Sequence, residues 1–388
     1  MNRKAGISVA ALCFFAGFAS AQSDDPIAIN IPSQATAPVA RFLGPVKQGF
    51  STMYANNQVI PFNTQDVWKP VCSNRAPMTV ADLQNMAATH AAAMVDPTKL
   101  TIVDSISPQA GLDLVYTLAG SVPAAAIPAF AAAEAYLQAQ FPNDTMTVTV
   151  TVSFANLSPG VIGGTSSASG YVDWANSRLA LQSGADANDT IQAFLPSGTT
   201  IPVRYKTSST TNETRIFWTL ANWKATGGTA TGNDASMQYS TAFPFDYDPS
   251  NGVSAGTISL QDVIVHETGH ALGFSSGVDF RVNDIEVPDI FRFRNTDSTG
   301  DFNPDTTAEF GVRPRWAVKN NPNDDVNFDN ISSEIFFSDG SPWQASHWRE
   351  QVPAIGIMDP AFNYAETFYP NFLRSTDLTG FDAIGYDK

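Results

Sequence analysis

Two histidines and a glutamate stand one helical turn apart in His266-Glu267-Thr268-Gly269-His270, and Ala271-Leu272-Gly273 follows. A four-residue spacing puts both imidazoles on one helix face, within reach of a single ion, with Glu267 projecting beside them. Nitrogen donors so placed suit a catalytic zinc, which acidifies water and polarises a peptide carbonyl while the neighbouring carboxylate moves the proton. The chain has four histidines in all, so a third imidazole can come only from His90 or His347.

A glycine three residues past the second histidine suits a left-handed turn that ends the helix and redirects the chain beneath the metal, as extended zincin motifs require. Those motifs place their third histidine at what is here position 276, and Ser276 is a poor zinc ligand. Three substitutes stand downstream: Asp279, Glu286 as a glutamate ligand of the thermolysin kind, and His347.

His347 lies in Ala345-Ser346-His347-Trp348, and Gly356-Ile357-Met358-Asp359-Pro360 begins nine residues later. This pairing resembles the leishmanolysin-like branch of the metzincin zinc metalloproteases, in which a serine-histidine-tryptophan segment supplies the third ligand after an insertion and a methionine turn follows. The tail from Asp377 to Tyr386 is similar to the closing segment of bacterial secreted relatives, so the resemblance covers roughly residues 109 to 388. It implies that His266, His270 and His347 hold zinc, that Glu267 is the general base, and that Met358 forms a packing floor beneath the metal, with residues 274 to 346 as the insertion. It also implies an α+β, zincin-like catalytic domain: a twisted mixed sheet with the active-site helix, then an irregular C-terminal subdomain. Two departures stand out. Leishmanolysin-type domains use many disulfides and this chain can form none once Cys13 is removed, and no tyrosine stands just after the methionine turn, so Tyr364 is left unassigned.

Two other readings compete. A thermolysin-like peptidase would keep the reaction and use Glu286. A non-proteolytic secreted binding or adhesion protein would keep zinc structurally, although such a site has no need of Glu267.

With 388 residues and 43% apolar composition the chain can bury a large core. Arg3 and Lys4, an apolar run to about Phe18, and Ala19-Ser20-Ala21 read as a secretory signal, which predicts export of a soluble, unanchored protein. Loss of those two cations moves the formal charge from −16 to −18, which disfavours nucleic acid and anionic lipid, and the resemblance implies a protein or peptide substrate. Cys13 leaves with the signal, and Cys72 reads as an incidental cysteine ahead of a latency thiolate.

The expected organisation is 1–21 signal peptide, 22–108 an N-terminal extension and candidate propeptide, and 109–388 the catalytic domain, divided at residue 273. In the extension, Thr79 caps a helix that carries Leu83, Met86, His90 and Met94 on one face, so His90 reads as an ordinary packed histidine. Leu114 to Leu118 reads as a strand, Ser121 to Phe141 as an Ala-rich helix bent at Pro128, and Thr145 to Phe154 as a half-buried alternating strand. Residues 160 to 232 read as strands joined by long loops, and Met237 to Phe245 as a sheet-edge strand that pairs with substrate around Met237 to Phe243. Ser259 caps the motif helix. The acidic turns Asp246 to Gly252 and Asp297 to Asp301 make calcium a candidate second ion.

Overall fold

The computed structural model describes residues 50–55, 58–65, 88–104, 111–157, 161–187, 189–280, 283–294, 304, 306–319, 326–329, 334–340 and 343–388. The fold is α+β, with mixed sheets and several helices. The signal-like segment, Cys72, Thr79 and the turn at 297–301 lie outside the described residues.

The central sheet has five strands: β1 (Thr101–Val103), β2 (Asp113–Leu118), β3 (Thr147–Ala155), β4 (Gly163–Ser167) and β5 (Ala235–Ser240), in the spatial order β1-β2-β3-β5-β4. The β2-β3 and β3-β5 ladders are parallel, and β4 runs antiparallel to β5 at one edge. Helix α1 (Ile127–Gln140) buries Phe130, Ala133 and Leu137 against the sheet, as the Ala-rich pattern predicts. It does not bend at Pro128. A 3-10 turn at Ala124–Ala126 precedes it and the proline lies in its first turn, where a missing amide hydrogen costs nothing.

Strand β3 was expected to be buried on one face, and its C-terminal half is buried on both. Val148, Val150, Val152 and Phe154 face the helices. On the opposite face His90, on helical residues 88–94, bonds Ser153 (Nδ1 to Oγ, 2.7 Å) and Thr151 (Nε2 to Oγ1, 3.0 Å). Burial lowers the His90 pKa to about 4, so it packs as a neutral ring.

Strand β5 is not an edge: β3 and β4 bond it on either side, and among the described residues β4 is the outermost strand on that side. The stretch read as strands and loops also contains α2 (Trp174–Gly184) and α3 (Leu220–Ala225), whose buried Trp174 and Trp223 join the core. A second sheet takes Phe50–Ala55, Gln58–Gln65, Ser169–Asp173, Arg215–Thr219 and Ile285–Glu286 in that order. The hairpin Phe50–Gln65 thus extends a sheet built from the later chain.

The motif helix α4 (Leu260–Ala271) begins where Ser259 Oγ accepts the Asp262 amide hydrogen, as expected. Asp262 turns its own carboxylate to Thr367 and the Phe368 amide. After α4 the chain has only short strands, turns and the short helical segments Gly277–Phe280 and Thr307–Val312, until α5 (Ser375–Ala383) packs Phe381 against Phe141, Phe274 and Tyr386.

Asp377 of α5 ties this half together. Its fully buried carboxylate accepts from Trp348 Nε1 (2.8 Å), Ile357 N (2.8 Å), Met358 N (3.2 Å) and Arg374 N (2.8 Å). Removing it strands four donors, so Asp377→Ala is expected to cost about 3–5 kcal/mol of unfolding free energy in urea, against less than about 0.5 kcal/mol for an exposed control such as Asp104→Ala.

Candidate metal centre

His266 and His270 leave α4 on the same face, and the return of the chain at residues 345–348 brings His347 to meet them. The three Nε2 atoms stand 3.1 Å (266–270), 3.2 Å (270–347) and 3.3 Å (266–347) apart, and all three rings are buried. Among the described residues this is the one group of three or more His, Cys, Asp or Glu side chains whose ligand atoms gather closely enough for an ion.

The far sides of the His266 and His270 rings explain their tautomers. His266 Nδ1 donates to the Ile357 carbonyl at 2.7 Å and His270 Nδ1 to the Phe274 carbonyl at 2.6 Å. A carbonyl only accepts, so both Nδ1 atoms carry the proton and both Nε2 atoms present lone pairs. Burial lowers the pKa of all three rings, to about 4 for His266 and well below the usual range for His270 and His347, where the adjacent imidazoles add to it. Two neutral acceptors, from His266 and His270, and the neutral His347 ring's Nε2 therefore face one point. A single proton can bridge one pair of them, whereas a cation satisfies all three. Tetrahedral bonds of about 2.0–2.1 Å from zinc to nitrogen place the nitrogens about 3.3–3.4 Å apart, so the donor set fits that ion.

Glu267 lies beside the trio, buried, with burial raising its pKa to about 8 and the Thr165 hydroxyl opposing the rise. Thr165 Oγ1 donates to Glu267 Oε2 at 2.7 Å. Strand β4 presents alternate residues to α4: Gly163 leaves space beside Glu267 Oε1, Thr165 bonds Oε2, and Ser167 Oγ bonds the His270 carbonyl at 3.3 Å. Thr268 points the other way and bonds Tyr116 of β2 at 2.7 Å, which pins the helix to the sheet.

Gly273 has a φ of 111°, outside the range of ordinary side chains, and the turn lets the Phe274 amide bond the Gly269 carbonyl at 3.0 Å. Met358 is fully buried against the helix at Gly269, where a Cβ would stand 2.5 Å from its Sδ. It is therefore a floor under the histidine helix. Phe362 closes one side, edge-on to His266 with ring centroids 5.1 Å apart.

No family model, curated protein or solved structure matches this chain. The functional reading accordingly rests on geometry and chemistry.

Of the residues weighed as third ligand, the structure brings His347 to the other two. The Glu286 carboxylate is engaged by Ser275 and caps the turn at Val287–Phe291, outside the three-nitrogen group. The Asp279 side chain lies outside the described residues, and His90 packs on the far face of the sheet. At Asp246 and Asp248 the carboxylates accept hydrogen bonds within their own turn, from Ser254 N and from Ser250 N. Sequence reasoning missed Gly163, Thr165 and Ser167. The alternation that carries them is hidden in Gly163-Gly164-Thr165-Ser166-Ser167, which has no apolar face.

Ligand loss separates the two downstream candidates. His347→Ala is expected to weaken metal binding, read by chelator competition, by more than the ~10–100-fold that a lost supporting hydrogen bond costs, whereas Glu286→Gln leaves it within about threefold of wild type.

Proposed function

We propose that this chain is a secreted, zinc-dependent endopeptidase of metzincin type, with the zincin arrangement of sheet, active-site helix and irregular C-terminal half. The observation that carries the reading is the meeting of three buried Nε2 atoms beside a carboxylate carried on the helix of His266 and His270. A purely structural ion needs the nitrogens and has no use for Glu267.

His266, His270 and His347 would hold the ion. When bound, zinc supplies Lewis acidity that makes water more acidic and a peptide carbonyl more electrophilic. The protein's own groups do the rest. Glu267 takes a proton from the attacking water as the new carbon–oxygen bond forms, and later gives it to the departing amine as the carbon–nitrogen bond breaks. Its Oε1 suits that role, because no donor among the described residues engages it. Ile357 and Phe274 carbonyls fix two imidazoles in the tautomer a metal requires, and Met358 and Phe362 exclude water from beneath and beside them.

The substrate class follows from the neighbouring strand. Among the described residues strand β4 is the last strand of the sheet and lies directly beside Glu267, and a sheet edge offers backbone groups to an extended peptide. Export agrees with the N-terminal signal pattern, and no helix among the described residues is long and apolar enough to cross a membrane.

Glu267→Gln is expected to keep its zinc and to cleave casein about 10²–10⁴-fold more slowly than wild type. Cleavage at the wild-type rate with zinc bound would overturn the reading.

A further inference from the structure

We infer that Thr165 is the positioning residue for Glu267: its hydroxyl anchors one carboxylate oxygen and leaves the other to carry the proton. The assignment rests on the peptidase reading above and deepens it.

A glutamate on a helix has three side-chain torsions, and Glu267 needs its carboxylate held at one angle beside the three nitrogens. Thr165 Oγ1 stands 2.7 Å from Glu267 Oε2 and 2.9 Å from the Glu267 backbone oxygen. A hydroxyl has one proton, and the shorter contact, to the carboxyl oxygen, takes it. Thr165 is itself fixed. It is fully buried, β-branched, and lies in the ladder opposite Met237. No other donor reaches the Glu267 carboxylate among the described residues, so this hydroxyl alone sets its orientation.

Gly163, two residues earlier on the same face, completes the arrangement. A Cβ there would stand 3.2 Å from Oε1. The strand therefore grips one oxygen and clears room around the other. Tyr239 and Ser167, the other polar neighbours, are spent elsewhere: Tyr239 Oη turns to Met237 Sδ and Ser167 to the His270 carbonyl.

The test compares Thr165→Val, Thr165→Ser and Thr165→Ala with wild type, using a quenched peptide taken from a casein cleavage site, and repeats Thr165→Val in the Glu267→Gln background. Loss of one hydrogen bond to a carboxylate predicts that Thr165→Val lowers kcat about 10- to 100-fold with KM within about twofold. Thr165→Ser restores most of kcat, because the hydroxyl returns. Zinc affinity by chelator competition stays at the wild-type value in all three. Should the valine variant fail to fold, the alanine variant carries the same expectation. In the Glu267→Gln background Thr165→Val adds no further loss, whereas a merely structural role would lower both backgrounds alike. A kcat within about twofold of wild type for the valine and alanine variants, or a serine variant as slow as valine, overturns the assignment while an inactive Glu267→Gln keeps the peptidase reading. A fully active Glu267→Gln overturns both.

Discussion

Three buried imidazole nitrogens that meet at one point, two of them held as lone-pair acceptors, are the constraint on which the rest of the structure depends. Burial keeps the rings neutral, backbone carbonyls fix the tautomers of His266 and His270, and neutral acceptors cannot satisfy one another. Two of them come from one helix and are cheap to place. The third arrives 77 residues after His270, so the fold must hold a long return path to within tenths of an ångström. Much of the C-terminal half serves that end.

Irregular chain cannot satisfy its backbone groups by regular ladders, and residues 274–346 contain no cysteine to staple them. Buried arginines take over part of this task. Arg292 pairs with Asp289 at 2.9 Å, donates to the Ser338 carbonyl at 2.8 Å and the Ala345 carbonyl at 2.7 Å, and lies over the Phe337 ring. Arg315 likewise donates to the Ile290 and Phe310 carbonyls. A guanidinium has five donors in a rigid fork, so one side chain gathers several stray carbonyls. Its charge is tolerated because it is paired or ringed by acceptors. On the other side of His347, Trp348 stacks on Phe337 and donates to Asp377, which also holds the Met358 turn. The same aspartate thus fixes Ile357, whose carbonyl orients His266.

What the sequence disclosed and what it hid divide along the range of the interactions. His266, Glu267 and His270 are legible because helical periodicity places them without knowledge of the rest of the chain, and Gly273 because only a backbone turn demands it. The Ala-rich helix α1 and the alternation of β3 are local in the same way. The second face of β3 was misread because its covering layer, His90 with Ser153 and Thr151, is a polar contact that hydropathy does not see. Strand β5 was taken for an edge because nothing in its own residues says whether β4 lies beyond it. Strand β4 was lost in a stretch of glycine and hydroxyl residues, since its function at Glu267 needs small and hydroxylic groups where a strand pattern would show apolar ones.

On the proposed reading, position 276 illustrates how a candidate ligand is displaced along the chain and not in space. A short zincin motif would have its third histidine here. Ser276 instead accepts Arg292 Nη2 at 3.3 Å, donates its hydroxyl to Asp289 at 2.7 Å, and its amide bonds Ser346 Oγ at 3.1 Å. Ser346 directly precedes His347. The turn after Gly273 therefore still leads to the place where a third imidazole is needed, and it ends there in a docking site for the segment that brings one. A histidine at 276 would have no access to Asp289 in this geometry and would crowd a position that is fully buried. Serine is small enough to let the returning chain close over it, and its hydroxyl and amide supply the polar contacts that hold that chain in register.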